Sequence, residues 1–207
     1  MIKLNLNNKI FFLIKIILIY FIFSLKSYSD NSDIKNNFVV LGINEAPIKI
    51  KVFSSFTCPH CAKFHIDVIP KIKKKYIESG VVQLIFIDFP LDKVAFNVSK
   101  LLHCLQKNYQ LDFLDTIYET QRNWVTGSDE NDINKNLKKI VKTLGINSIQ
   151  FDKCLDNEVI SDKILNGRID ASKKYSISST PTIVINEKKL KGSTSFKDIE
   201  KYIENII

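Results

Sequence analysis

At Cys58-Pro59-His60-Cys61 one hydrophobic period gives way to another. Upstream, Ile48, Ile50 and Val52 alternate with Lys49 and Lys51, the period of a strand. Downstream, Cys61, Phe64, Val68, Ile72 and Tyr76 recur every three or four residues, the period of a helix. The two cysteines therefore sit at a strand-to-helix junction, with Cys58 at the helix N-terminus. Pro70 should kink this helix without ending it, and Ser79-Gly80 should stop it. Val81 to Phe89 is a β-rich apolar run, expected to be a buried central strand closed by Pro90.

The rest of the chain is arranged around that α/β unit. Phe38 to Leu41 is a short strand candidate. Apolar positions at helical spacing fill Val94–Leu105, Leu111–Tyr118, Ile133–Leu144, Phe151–Leu155 and Val159–Tyr175. Gly145 should close the third of these, and Trp124 should pack inside the block. Strand character returns at Thr182–Ile185, followed by a turn over Asn186-Glu187-Lys188 and a return strand at Lys189-Leu190. Ser195 is placed to cap a last helix carrying Ile199, Tyr202, Ile203 and Ile206. The helical block interrupts the α/β unit. The six glycines give no phosphate-binding loop or dinucleotide fingerprint.

Residues 1–29 hold four lysines, no acid, and an apolar run from Ile10 to Leu25 broken by Lys15. The uninterrupted part is short for a bilayer core of about 30 Å. With small residues at Ser27 and Ser29, the segment reads as an export signal cleaved after Ser29, with an uncleaved anchor as the alternative. The whole chain has 30 Lys+Arg against 22 Asp+Glu, a surplus of 8, and half of that surplus lies in this segment. The only arginines are Arg122 and Arg168, so nucleic-acid recognition is a poor reading of the charge. Export would put all four cysteines where disulfides persist.

At a helix N-terminus, unsatisfied amides and the helix dipole stabilise a Cys58 thiolate. Cys61 lies one turn on, more shielded. An exposed attacking sulfur and a shielded resolving one are what thiol–disulfide exchange needs. Pro59 and His60 modulate the pair, His60 as a donor or positive charge beside the Cys58 sulfur. A stabilised thiolate favours the reduced form and makes the disulfide more oxidising. Haem attachment needs His after the second cysteine, and Ala62 stands there. Zinc would need two further ligands, and no metal is expected. A purely structural Cys58–Cys61 bridge would close almost no loop. Far downstream, Thr180-Pro181-Thr182 leads a strand. Either Pro181 is an ordinary edge proline, or the Thr180–Pro181 bond is cis and leaves backbone groups free to pair with an extended chain.

These residues together resemble the DsbA-like thiol:disulfide oxidoreductases of the thioredoxin superfamily. The resemblance implies an α/β thioredoxin fold with an inserted all-helical domain. Residues 30–90 and 158–207 would form the thioredoxin part and residues 91–157 the insert. It implies Cys58 as nucleophile, Cys61 as resolving cysteine, and Thr180-Pro181 as a cis-proline loop that binds substrate. The implied activity is donation of the Cys58–Cys61 disulfide to reduced or unfolded exported proteins in the periplasm. No cofactor is needed beyond that disulfide, and a quinone-linked membrane oxidase would re-form it. Two positions depart from the best-known oxidases of the family. Thr180 replaces Val before the proline, which leaves an isomerase or reductase as an alternative. Val52 stands where an acid often lies beneath the resolving cysteine. Residues 30–47 are too short for the dimerisation domain of dimeric isomerases, so a monomer is expected. A redox-inactive chaperone-like module is a third reading, and the intact cysteine pair counts against it.

Cys104 and Cys154 both fall in the helical block. A Cys104–Cys154 disulfide is the favoured reading, with two separate buried thiols as the alternative. His65 and His103 read as surface or satisfied histidines.

Overall fold

Strand β2 (Ile48–Ser54) is the axis of the molecule, and its alternating side chains build two cores. In this computed structural model, which describes residues 38–207, β2 pairs in parallel with β3 (Val82–Asp88), Ile50 opposite Leu84 and Ser54 opposite Asp88. The export signal expected over residues 1–29 lies outside the described residues. Strand β1 (Val39–Leu41) runs antiparallel on the far side of β3. Strands β4 (Thr182–Ile185) and β5 (Lys188–Lys189) continue antiparallel beyond β2, giving the order β1-β3-β2-β4-β5.

A parallel β2–β3 pair needs a crossover. It is supplied by α1 (Pro59–Asp67), α2 (Ile69–Ile72) and a π-helical turn (Lys73–Ile77). The sequence pattern suggests one kinked helix here. Instead the helix breaks at Val68 (φ −109°), and Pro70 falls in the first turn of a new segment. The reason is steric: proline lacks the N–H, and its ring would strike the carbonyl of Ile66 in a continuous helix.

Ile50, Val52, Leu84, Phe86, Ile183 and Ile185 join one buried cluster with Cys61, Phe64 and Ile72. Helix α9 (Phe196–Glu204), capped by the Ser195 side chain, adds Ile199 and Ile203 to it. The alternate positions Phe53 and Val184 pack with Phe89, Ala171 and Ile177 in a second, smaller cluster.

Between β3 and β4 come α3 (Lys93–Cys104), α4 (Lys107–Glu119), α5 (Gln121–Trp124), α6 (Glu130–Thr143), α7 (Ser148–Leu155) and α8 (Glu158–Tyr175). Val98, Leu101, Phe113, Ile117, Trp124, Leu137 and Phe151 from this block belong to the same cluster as the sheet, so the block shares the sheet's core. Asp92, Asp129, Asn147 and Asn157 each accept a backbone N–H at a helix start. Gly145 (φ +90°) turns the chain after α6, where Ile146 N–H bonds the Val141 carbonyl. At the β4–β5 hairpin, Asn186 and Glu187 both have positive φ, a two-residue turn. The return strand therefore starts at Lys188, one residue earlier than the sequence pattern suggests, paired with Ile185. Among the described residues no helix is long and apolar enough to cross a membrane.

Candidate active site

The chain leaves β2 at Ser54 and turns through Ser55, Phe56 and Thr57 into Cys58, the N-cap of α1. Pro59 takes the first helical position, where no N–H is needed and φ is already helical. The Cys58 carbonyl accepts the first helical bonds, from Cys61 N–H (3.1 Å) and Ala62 N–H (3.2 Å). The His60 and Cys61 amides also bear on the Cys58 sulfur.

Three groups brace this turn from the helical block and its entry. Leu91 N–H donates to Ser55 Oγ at 3.3 Å, and Thr57 Oγ1 donates to Asp92 Oδ2 at 2.5 Å. The third is Gln121 on α5, whose buried carboxamide donates to the carbonyls of Phe56 (2.7 Å) and Cys58 (3.1 Å). Phe56 is also stacked on Tyr118 of α4, ring centroids 5.3 Å apart.

Opposite the cysteines lies the loop entering β4, where the Thr180–Pro181 peptide is cis. Cys58 Sγ donates to the Thr180 carbonyl at 3.3 Å. This loop closes over the sulfur, so Cys58 is only 8% exposed, less open than a freely attacking cysteine would suggest; Cys61 is 1% exposed. Both are free thiols. The Thr180 hydroxyl is buried without a well-aligned partner, yet lies near enough to both sulfurs to favour negative charge on either.

The two thiols are driven apart. The Cys61 S–H donated to Cys58 is the largest influence pulling the Cys58 pKa down to about 5, with Thr180 and the amides of Cys61 and His60 adding to it and burial opposing. Cys61 is pushed far up, first by holding its proton on Cys58 and then by burial. Once Cys58 has ionised and given up its bond to the Thr180 carbonyl, the pair keeps one proton, held by Cys61. His60 is exposed, and its backbone amide is what bears on the sulfur.

In the reduced protein the alkylation rate of Cys58 should rise through about pH 5 and level off before neutrality. An ordinary thiol rises near pH 8.5, and a profile centred there would overturn this assignment. The folded pKa lies below the unfolded one, so the thiolate stabilises the reduced fold above about pH 8.5 and that contribution is lost as pH falls through about 5. Melting reduced against oxidised protein across that window checks it.

Beneath the site, Val52 is buried in the core position of β2. The nearest acid to that level on the sheet is Asp88, beside Ser54 at the end of β3. Asp88 accepts from Ser99 Oγ (2.8 Å) and pairs with His103 Nε2 (2.6 Å). Ser54, Asp88 and Tyr118 line a cavity of about 10 Å³, room for about one water. Burial, and after it negative charge on Cys61, pushes the Tyr118 phenol well above the ordinary tyrosine range.

His65 is buried on α1, its Nε2 2.6 Å from Asp115 Oδ1 of α4. Cys104 and Cys154 form a disulfide joining α3 to α7, Cα atoms 6.0 Å apart. Among the described residues no group of three or more His, Cys, Asp or Glu side chains is arranged to hold a metal ion.

Gln121, Asp88 and Asp115 escape the sequence reading. Asp88 left a signal, since an acid in an otherwise apolar buried run needs partners. His65 left another, on the apolar face beside Phe64 and Val68. Gln121 left none.

A family model described as thioredoxin matches residues 35–205. Among curated proteins, the chain is 29% identical over 174 residues to disulfide bond formation protein D of Bacillus subtilis (strain 168), covering 80% of this chain and 75% of that one. Among solved structures, it is similar to α-DsbA1 of Wolbachia pipientis, with a TM-score of 0.74 and 30% identity over 82% of this chain and 90% of that one. It is also similar to oxidised BdbD from Bacillus subtilis, with a TM-score of 0.71 and 25% identity over 82% of this chain and 92% of that one.

Proposed function

Because this chain belongs to the thioredoxin family as a DsbA-like thiol:disulfide oxidoreductase, we propose that it acts outside the cytoplasm as an oxidase, passing the Cys58–Cys61 disulfide to reduced proteins. The observation that carries this is the divided pair: a thiolate-prone Cys58 under the Thr180 carbonyl and a proton-holding Cys61 behind it.

A substrate thiolate attacks Cys58 Sγ of the oxidised pair, and the Cys58–Cys61 bond breaks. Cys61 leaves as a thiolate and takes up a proton, for which its raised pKa suits it. A second substrate thiolate then attacks the substrate sulfur of the mixed disulfide. Cys58 leaves as a thiolate, a good leaving group because its pKa is low. Two electrons have passed to the enzyme and the substrate holds a new disulfide. Thr180 and Pro181 are assigned to substrate contact: the Thr180 carbonyl is 3.3 Å from the attacked sulfur, so a chain reaching Cys58 passes beside it.

Reoxidation is assigned to a quinone-linked membrane oxidase whose disulfide takes the two electrons. The chain would work as a monomer in the periplasm, delivered by the segment over residues 1–29. Light scattering of the mature protein tests the oligomeric state.

Thr180 beside the cysteines favours a second reading, an isomerase. Two refolding assays separate them. The oxidised enzyme should form disulfides in a reduced multi-disulfide protein. Rescue of a scrambled protein by the reduced enzyme, without net oxidation of the first, would replace the oxidase reading by isomerase. Thiol chemistry in neither assay would defeat both and leave a binding module.

A further inference from the structure

Gln121 does not touch the sulfurs, yet it is the group through which the helical block grips the nucleophile's own peptide. Its side chain is buried, and its Nε2 reaches two carbonyl oxygens, Phe56 O at 2.7 Å and Cys58 O at 3.1 Å. Only the NH2 end of a carboxamide can donate to two carbonyls, so the chemistry fixes its orientation. The platform behind it is firm. Trp124, on the same short helix, is 1% exposed, and its Nε1 donates to the Ile117 carbonyl at 2.7 Å. Two further links lock α4 to the active-site region, Asp115 to His65 and Tyr118 stacked on Phe56.

The Cys58 carbonyl held by Gln121 is also the one that accepts the first bonds of α1. Gln121 thus holds the same turn that presents the His60 and Cys61 amides to the sulfur. The same oxygen carries partial negative charge, which three N–H donors, one from Gln121 and two from the helix, offset. We propose that Gln121 is a positioning residue for the nucleophile: by fixing the Phe56 and Cys58 carbonyls it keeps the Cys58 sulfur over the first-turn amides and so sets how oxidising the Cys58–Cys61 pair is. The inference rests on Cys58 being the redox nucleophile.

The test compares wild type with Gln121→Met, which keeps the length and removes the donors, and Gln121→Glu, which keeps the shape and places a carboxylate against two carbonyl oxygens. Thiolate absorbance of the reduced proteins against pH reads the Cys58 pKa, and equilibration with glutathione reads the disulfide. Gln121→Met should raise that pKa by about one unit and make the pair about tenfold less oxidising, about 30 mV. Gln121→Glu should shift both further in the same direction. A merely structural glutamine would lower the melting temperature and leave pKa and potential at the wild-type values, and that result overturns the inference. If wild-type Cys58 itself titrates like a free thiol, the redox reading falls and this inference with it. If wild type is low and Gln121→Met matches it, only this inference falls. Should either variant fail to fold, the Gln121 side-chain NH2 resonances of the wild type decide: they should shift with the midpoint of Cys58 ionisation, and constant shifts across that midpoint count against the proposal.

Discussion

Cys61→Ser is expected to stop turnover and, given a disulfide-bonded substrate, to stay covalently joined to it: the Cys58 thiolate attacks the substrate disulfide, one substrate sulfur leaves as a thiolate, and a mixed disulfide forms. With serine at 61 no sulfur stands behind Cys58 to resolve the mixed disulfide, so the adduct accumulates as a higher band on non-reducing gels and vanishes on adding reductant. Cys58→Ser should form no adduct, because the remaining thiol at 61 is 1% exposed and burial still opposes its ionisation. Both variants should reduce oxidation of a dithiol substrate to the uncatalysed background. The asymmetry is the informative part. It follows from one helical turn: Cys58 occupies the N-cap, where amides of His60 and Cys61 and the helix dipole face its sulfur, while Cys61 lies inside the turn against the core. Cys61→Ser also removes the S–H that contributes most to the low Cys58 pKa. Its Cys58 should titrate above about 5, with the serine hydroxyl and Thr180 making up part of the difference. Equal adduct formation by both variants would contradict the assigned roles.

The features visible in the sequence are those in which a local pattern has a local consequence. The switch from a period of two to a helical period at Cys58 places the cysteine pair at a helix start with no knowledge of the rest of the chain. Thr180-Pro181-Thr182 before an apolar strand marks the opposing loop, and the pairing Val52–Ile183 explains why it lies across from the cysteines, since β4 returns antiparallel beside β2. What stayed hidden was set by contacts between distant segments. Gln121 sits in a polar stretch, Thr120-Gln121-Arg122-Asn123, with no apolar period of its own. Its role exists only because α5 is brought against the turn after β2, 63 residues away in the chain for Cys58. Asp88 and His103 likewise become a pair only when α3 folds back over the end of β3. The break at Val68 was half visible: Pro70 announced trouble, and the clash with Ile66 decided where it fell.

Removing the bridge between α3 and α7 should be the costliest change away from the catalytic pair. Cys104 and Cys154 are 50 residues apart, so reducing them restores a long loop to the unfolded chain. In the chain-entropy model that costs about 4 kcal/mol. For a domain of this size the melting temperature of Cys104→Ala/Cys154→Ala should fall by about 8–16 °C. The double variant is the right choice, since a single one leaves a reactive partner thiol. Part of the α3–α7 contact survives without the bridge, because buried Lys100 donates to the Leu155 carbonyl at 2.6 Å. The loss should therefore come mainly from the unfolded side, with folding slowed more than unfolding is accelerated. The bridge touches neither Cys58 nor Cys61 in any hydrogen bond described for them, so dithiol exchange below the lowered melting temperature should continue. A folded double variant melting with the wild type would show that the bridge does not hold the fold.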